Sequence, residues 1–283
     1  MKHETILKLR QRIRDRVPQD VLQLKPNTPF HIYYNPKTGA EYISTTTKHR
    51  VISSPQFQEW RQNRLAEFLI DHKDEITKEN FEEWIKKAKA YPEEVFEAAG
   101  KFGTLCHSYI HKYFTDWILA DRQPASILQY VDGSRGPREE NARVWAVIRG
   151  LENWCNANQY IPLASELMLF SDRYHDAGTM DNVGVDKTGV PGAPDWKTSN
   201  NFRDDYHLQL GSYFGMFYEM THIRLHWGKI VKLDKDKGQF SEEVVNNLRK
   251  CFKYHVIAGK LYDAMQDVRG DRHAASHDKK VKL

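Results

Sequence analysis

The alternation of apolar and polar positions predicts a mixture of helices and strands along the chain. Apolar residues recur at helical spacing over 4–17 and again over 139–158. Apolar, strand-like segments predict strands over 161–171 and 176–185, which follow each other closely and which we expect to pair antiparallel. The apolar face of the helix at 139–158 consists of Val144, Val147, Ile148, Leu151 and Trp154.

The part of the chain between the first helix and the helix at 139–158 predicts a hairpin and three more helices. Two aromatic-rich strands around a Pro/Gly turn predict a hairpin from Phe30 to Ser44. A helix with Pro55 in its first turn would run to about Ile70, a second helix would cover 78–90, and Pro92 would open a third.

The second half of the chain continues the same mixture. A short strand contains residues 195–197, and a turn of two asparagines then leads into a helix over 203–221. A strand over 224–233 and a final helix over 241–267 follow, and residues 271–283 are expected to be disordered.

These elements predict an α/β fold, with a mixed sheet of four or five strands flanked by helices. Residues 1–100 would form an N-terminal hairpin and helical addition, and residues 101–270 would form the core. Residues 271–283 would be a basic tail, and the segment 124–137 a loop rich in small residues.

Composition narrows the class of protein. The chain has 283 residues, of which 40% are hydrophobic and 28% charged, as in a soluble globular protein, and no apolar run reaches membrane-spanning length. The net charge of +4 is too small to indicate a nucleic-acid partner by itself. Basic residues are concentrated at 1–16, so the first helix either follows a phosphate backbone or docks its apolar stripe on the rest of the protein.

The three cysteines are Cys106, Cys155 and Cys251, which are widely spaced and odd in number. They predict no disulfide framework and no Cys-rich metal site, which also excludes a four-cysteine iron–sulfur cluster. We therefore expect a reducing compartment such as the cytoplasm. The Arg-rich start contains acidic residues and no serine, which disfavours a mitochondrial transit peptide.

Three short motifs point to a common chemistry. Asp181 follows a Gly-Thr pair in an apolar strand, while Asp195 and Lys197 lie two apart in a strand and so share one face. Gln209 and Tyr213 lie four apart on one face of the next helix. Two carboxylates and a lysine at strand ends are able to hold Mg²⁺ or Mn²⁺ beside a water molecule, so the pattern predicts phosphodiester hydrolysis.

Two histidines precede these motifs in a helical segment. His107 and His111 lie on one helical face, and Gly103, one turn before His107, allows a close approach. The pair is not a metalloprotease signature, because Ser108 stands where H-E-x-x-H requires a glutamate. Judged by the residues alone, a helical histidine is more often a packing or surface residue than a metal ligand.

At these positions the chain resembles the PD-(D/E)XK nucleases, within them the RecB-like exonucleases, and especially the mitochondrial genome maintenance exonucleases and their phage relatives. The resemblance is carried by G-T-L-C-H at 103–107, G-T-M-D at 178–181, D-W-K at 195–197 and Q-x-x-x-Y at 209–213, in family order. D-x-K alone is a weak signal, and four motifs on the expected elements are a much stronger one. The resemblance implies a restriction-endonuclease-like core.

The resemblance also implies roles for individual residues. His107, Asp181 and Asp195 would hold Mg²⁺ or Mn²⁺, with the backbone carbonyl of Trp196 as a further ligand, and Lys197 would activate or orient a water molecule. Glu166 would join the metal site or lie just behind it, unless it is an ordinary exposed strand residue. The substrate would contact Gln209, Tyr213 and Thr198. The resemblance does not extend to His111, which we expect either to lie behind the metal ligands or to face a phosphate of the substrate.

The expected function is a metal-dependent DNA exonuclease acting from single-stranded ends. Helices, rings and basic residues in about the first hundred positions would form a channel for a flexible single strand. The run Ser44–Thr47, followed by Lys48 and Arg50, would either contact phosphates or form a strand edge and a helix cap. A restriction-type or junction-resolving endonuclease and a non-catalytic DNA-binding protein remain alternatives, and polarity, DNA versus RNA preference and protein partners stay open.

Overall fold

A computed structural model describes the chain over residues 2–26, 28, 31–52, 54–125 and 138–281, except for the side chains of 138–140 and 271–281. The chain divides into two compact units. The main unit comprises Met1–Val51 and His107–Leu283, and the helical unit comprises Ile52–Cys106. The predicted N-terminal addition is therefore divided between the two units.

The main unit contains a mixed sheet, which confirms the predicted α/β class. Its strands are β1 (Gln23–Leu24), β2 (Ile32–Tyr34), β3 (Glu41–Ser44), β4 (Ile161–Ser171), β5 (Asp176–Val185), β6 (Pro191–Lys197), β7 (Trp227–Leu233) and β8 (Phe240–Val244). Their order is β1-β2-β3-β5-β6-β7-β8, and β4 pairs with β5 off this path. The pairs β3–β5 and β6–β7 are parallel, and the other pairs are antiparallel.

The predicted number of four or five strands is wrong, because the described residues form eight. The N-terminal hairpin, of which Phe30 lies outside the described residues, joins the same sheet when Ile43 and Ser44 pair with Asp176 and Ala177. The segment predicted to begin the last helix supplies the eighth strand.

Seven α-helices are described. They are α1 (His3–Arg16), α2 (Thr45–Lys48), α3 (Pro55–Asp71), α4 (Phe81–Ala120), α5 (Arg138–Asn158), α6 (Asp204–Thr221) and α7 (Leu248–Val281). The predicted loop at 124–137 lies outside the described residues from position 126 onward. The predicted asparagines lie in a bend before α6, whose N-cap is Arg203, while the side chain of Ser54 caps α3.

Helix α4 corrects the prediction of two helices separated at Pro92. It is continuous over 40 residues and contains Pro92 in its interior. A proline removes one helical hydrogen bond and crowds the preceding turn. The residues around it are mostly alanine, lysine and glutamate, which are strong helix formers, and the helix continues through it.

Helix α1 docks on the main unit, which is one of the two alternatives predicted for it. Ile6, Ile13 and Val17 are buried in the core that also contains residues of β4 to β7. Arg10 is buried as well, and its Nη2 donates to the carbonyl of Pro162 at 2.9 Å. The apolar stripe of the helix is therefore used for packing.

The end of the chain differs from the prediction because a strand precedes the last helix. Residues Phe240–Val244 pair antiparallel with β7 around a turn in which Gly238 has a φ of 66°. Asp234 Oδ1 accepts hydrogen bonds from the backbone N–H groups of Asp236 and Lys237 and so stabilises this turn. Helix α7 then begins at Leu248 and continues to Val281, beyond the predicted end at 267 and into the segment predicted to be disordered.

The helical unit is acidic rather than basic. Residues 52–106 contain eight Lys or Arg and eleven Asp or Glu. Its rings contact one another, as where Phe57 stacks on Trp60 with centroids 5.6 Å apart. The helical unit is therefore not a source of net positive charge for the predicted channel. In the described part of the chain, no helix combines the length and apolar character that crossing a membrane requires.

Candidate metal centre

Two acidic residues of the candidate site lie opposite each other on β4 and β5. Ser165 pairs with Asn182 and Leu167 with Met180, so the register places Glu166 opposite Asp181. The predicted antiparallel pairing of the two strands is confirmed. Strand pairing thus brings two carboxylates together from positions 15 residues apart in the chain.

Glu166 has an unusual backbone conformation for a residue within a strand. Its φ is 51°, in the left-handed region that side chains other than glycine rarely adopt. Such a conformation costs about 1–2 kcal/mol for an L-residue. This strained conformation occurs at a residue whose side chain lies close to Asp181 and His107, so the backbone strain is located in the candidate site.

Trp196 joins the other elements of the site through its main chain. Its N–H donates to Asp181 Oδ2 at 2.8 Å, and its carbonyl oxygen accepts a hydrogen bond from His107 Nε2 at 3.1 Å. The indole is fully buried and packs on the rings of Phe114 and Trp154, with centroids 5.9 and 5.0 Å away. The packed ring therefore fixes the backbone that holds Asp181 and His107.

The hydrogen bond to Trp196 decides the tautomer of His107. A carbonyl only accepts, so Nε2 carries a proton and a neutral ring keeps its lone pair on Nδ1. Nδ1 lies 3.5 Å from Asp181 Oδ1 and 3.7 Å from Glu166 Oε1. One ligand atom from each of these three residues lies within 4.8 Å of the others.

Charge in the group shifts the pKa of its members. Burial lowers the pKa of His107, but the negative charge of Asp181 and Glu166 outweighs it and raises the pKa to about 9. Burial raises the pKa of Asp181, and the positive charges of His107 and Lys197 oppose that rise. Without a cation, His107 is therefore protonated at neutral pH and forms an ion pair with the carboxylates.

Asp195 and Lys197 share a face of β6 as predicted, and they pair with each other. Lys197 Nζ lies 2.7 Å from Asp195 Oδ2, and both side chains are largely buried. Neither carboxylate oxygen of Asp195 receives a well-formed hydrogen bond from a described residue. Burial raises the pKa of Asp195 to about 6, Lys197 opposes this rise, and Asp181 adds to it. Among the described residues, Asp195 is not a member of the three-residue group.

Gln209 and Tyr213 both lie close to Lys197. Gln209 Oε1 accepts from Lys197 Nζ at 3.3 Å, and Gln209 Nε2 donates to the Tyr213 hydroxyl at 3.0 Å. Tyr213 is buried against Gly178, where an added Cβ would lie 2.8 Å from Tyr213 Cε1. The glycine of one motif therefore makes room for the tyrosine of another, and the pair orients Lys197; their contact with substrate stays a prediction.

His111 lies beside the group, and Thr198 lies just after the strand that carries Lys197. His111 Nδ1 is 3.1 Å from the Ser165 hydroxyl, which donates to the carbonyl of Asp181 at 3.3 Å. His111 thus supports the Asp181 backbone through Ser165. Thr198 directly follows Lys197 and lines a shallow depression with Ser199, Asn200 and residues 232–236.

The donor set fits a divalent cation. An imidazole nitrogen and two carboxylate oxygens face one another at separations that a cation with bonds of about 2.0–2.5 Å is able to bridge. A hydrogen bond from the other ring nitrogen to a backbone carbonyl is typical of a metal-binding histidine. The carboxylate of Asp195, paired with Lys197, is a further negative group beside the site.

A second buried polar cluster was not foreseen from the sequence. Asp176 lies 2.7 Å from Lys48 Nζ through one carboxylate oxygen and 2.7 Å from His255 Nε2 through the other. His255 Nδ1 is 2.9 Å from His49 Nε2, although these residues are 206 positions apart. Burial and the neighbouring His255 lower the pKa of His49 to about 3, so it stays neutral. The cluster joins the segment after β3 to β5 and α7.

The same segment settles which alternative holds for the Ser/Thr run. The hydroxyl of Ser44 accepts a hydrogen bond from the Thr47 N–H at 3.2 Å and caps α2. Thr45, Thr47 and Lys48 are buried. The helix cap of the second alternative is therefore confirmed, but its strand edge is wrong, because β3 pairs with both β2 and β5.

No protein-family model matches the chain, and no curated protein matches it.

We predict that Mn²⁺ affinity depends on pH through His107. Because the pKa of His107 is raised to about 9, a cation has to displace a proton from Nδ1 at neutral pH. Apparent affinity should therefore rise about tenfold per pH unit as the pH rises from 6.5 to 8.5. Calorimetry in two buffers of different ionisation enthalpy measures both the affinity and the proton released.

The matched controls for this prediction are two alanine variants. His107→Ala should weaken Mn²⁺ binding by about tenfold or more and flatten the pH dependence. His111→Ala should have a smaller effect, because its ring acts only through Ser165. Equal losses in the two variants would show that the wrong histidine has been assigned.

We also predict that two substitutions of Glu166 separate strain from binding. Glu166→Gly and Glu166→Ala both remove the carboxylate and should weaken Mn²⁺ binding alike. Glycine tolerates the φ of 51° and alanine does not, so Glu166→Gly should be more stable by about 1 kcal/mol. Urea unfolding checks the stability, and equal stability of the variants would contradict the assigned strain.

Proposed function

We propose that the protein is a metal-dependent DNA nuclease of the PD-(D/E)XK type that degrades single strands from a free end. The observation that carries this proposal is the three-residue group of His107, Glu166 and Asp181 beside the Asp195–Lys197 ion pair. One helix and three strands contribute these five residues. All of them except Glu166 belong to one of the four motifs. That convergence supports a restriction-endonuclease-like core.

The proposed cation is Mg²⁺ or Mn²⁺, held by His107, Asp181 and Glu166. Of the other ligands that the sequence predicts, the carbonyl of Trp196 accepts from His107, and Asp195 is paired with Lys197. A bound divalent cation supplies positive charge for the scissile phosphate and lowers the pKa of a water molecule. The nitrogen ligand favours Mn²⁺ over Mg²⁺, because imidazole is softer than oxygen.

Lys197 acts in this proposal as a fixed positive charge. Burial lowers its pKa, but Asp195 and Asp181 outweigh burial and raise it above the usual value, so the amine stays protonated at neutral pH. It therefore donates hydrogen bonds and does not take up a proton. Asp195 and Gln209 hold Nζ, and the ring of Tyr206 lies 4.7 Å from it. An ammonium held in this way is suited to orienting water and to balancing phosphate charge.

Incubation with labelled DNA tests the proposed function directly. Linear single- and double-stranded DNA, labelled at one end, would be incubated with Mg²⁺, Mn²⁺ or a chelator, and the products separated by size. We expect cleavage with either cation, at least as fast with Mn²⁺, and none with the chelator. Cleavage that survives chelation would contradict the metal site, and absence of cleavage with every cation would favour a non-catalytic DNA-binding protein.

We predict that Asp195→Asn nearly abolishes cleavage while the protein stays folded. The substitution keeps the shape of the side chain but removes the negative charge that holds Lys197. Asp186→Asn is the matched control, because Asp186 is also buried, but its carboxylate accepts hydrogen bonds from the Thr188 N–H at 2.9 Å and from the Thr188 hydroxyl, outside the site. Rates on single-stranded DNA and thermal unfolding are measured for both. Similar activity of the two variants would argue against a catalytic role for Asp195.

The requirement for an end is predicted separately. Linear single-stranded DNA should be degraded, and covalently closed circular single-stranded DNA of the same sequence should survive at least tenfold longer. Pre-nicking the circle supplies an end and should restore degradation, which controls for sequence and length. If the intact circle is cut as fast as the linear strand, the protein is an endonuclease on the same proposed site.

A further inference from the structure

Helix α7 presents an apolar stripe to solvent along the side next to its buried face. The helix packs on the rest of the main unit through residues that include His255, Ala258 and Tyr262, all of which are buried. The stripe consists of Tyr254, Ile257, Leu261, Met265 and Val268, whose exposed fractions lie between 39% and 60%. Scattered exposed apolar residues are ordinary, but a continuous row is not.

The spacing of the stripe matches that of a helix-pairing seam. Its members follow one another by three, four, four and three positions, so they fall within one narrow face of the helix. This series is the same when it is read from either end, with Leu261 at its centre. A second copy of the helix in the antiparallel direction would set Tyr254 opposite Val268 and Ile257 opposite Met265. Each copy would then offer its partner the same surface, as a two-fold symmetric interface requires.

The charges along the outer flank of the stripe show the same symmetry. Lys253 lies beside its first half and Asp267 beside its second half, each one position before a member of the stripe. Both side chains are exposed, and among the described residues neither forms an ion pair. Antiparallel pairing about Leu261 would bring Lys253 near the partner's Asp267, while Lys260, at the centre of this flank, would face its own copy and weaken the dimer. Parallel pairing would place the same flank of the two copies on opposite sides of the seam and would not bring Lys253 and Asp267 together.

We infer that the protein forms a two-fold symmetric dimer through antiparallel pairing of α7. At ordinary side-chain areas, the stripe exposes roughly 400 Å² of apolar surface per chain, about half of what a standard interface buries on each partner. The dimer is therefore weak, with a dissociation constant on the order of 1–100 µM. The inference does not depend on the proposed nuclease activity, since no residue of the candidate metal centre belongs to the stripe.

Sedimentation equilibrium of the full chain between 1 and 200 µM tests the dimer. The wild type should pass from monomer to dimer over this range. Leu261→Glu places two like charges at the symmetry axis and should weaken dimerisation at least tenfold. Leu119→Glu, at a residue of α4 that is 75% exposed and outside the stripe, is the matched control and should dimerise like the wild type. A wild type that stays monomeric at 200 µM, or a Leu261→Glu variant that dimerises normally, overturns the inference.

Charge exchange tests the antiparallel arrangement. Lys253→Asp and Asp267→Lys should each weaken the dimer several-fold, and the double variant Lys253→Asp/Asp267→Lys should restore it. Both residues are exposed, so the variants are expected to fold even if Leu261→Glu does not. A double variant that stays as weak as the single ones would show that the helices do not pair in this register.

Discussion

The backbone of Trp196 is the constraint on which the candidate metal centre depends. Its N–H binds Asp181 and its carbonyl binds His107, while the side chains on either side, Asp195 and Lys197, pair on the opposite face of the strand. The indole is enclosed by Phe114 and other rings, so the strand is unable to rotate without unpacking the core. Packing of one ring therefore determines where four functional groups lie.

Local periodicity is sufficient where a single strand decides which side chains share a face. The common face of Asp195 and Lys197 follows from the period of two in a strand, and the structure has it as predicted. The antiparallel pairing of β4 with β5 is expected from the short turn between them, and it is confirmed. Periodicity fails at Phe240–Val244, where two glutamates favour a helix. There the turn at Gly238 returns the chain along β7, and pairing with that strand overrides helix propensity.

The candidate site could be predicted only in part for a related reason. Motif spacing identifies His107, Asp181 and Lys197, but it does not contain the backbone conformation of Glu166, since a left-handed residue in a strand has no signature when it is not glycine or asparagine. Motif spacing also does not show that the carboxylate of Asp195 forms an ion pair with Lys197, because the side-chain rotamers decide this contact. The contact between His49 and His255 joins distant parts of the chain, and no local pattern marks it.

Helix α4 has a consequence for how modular the protein is. It runs without a break from Phe81 to Ala120, and the boundary between the two units falls inside it, between Cys106 and His107. Deleting residues 52–106 would therefore cut a helix and not a linker. The N–H groups of the turn that begins at His107 would lose the carbonyl partners that the preceding turn supplies. A gene rearrangement that discarded the helical unit would thus also have to create a new helix start at a proposed metal ligand.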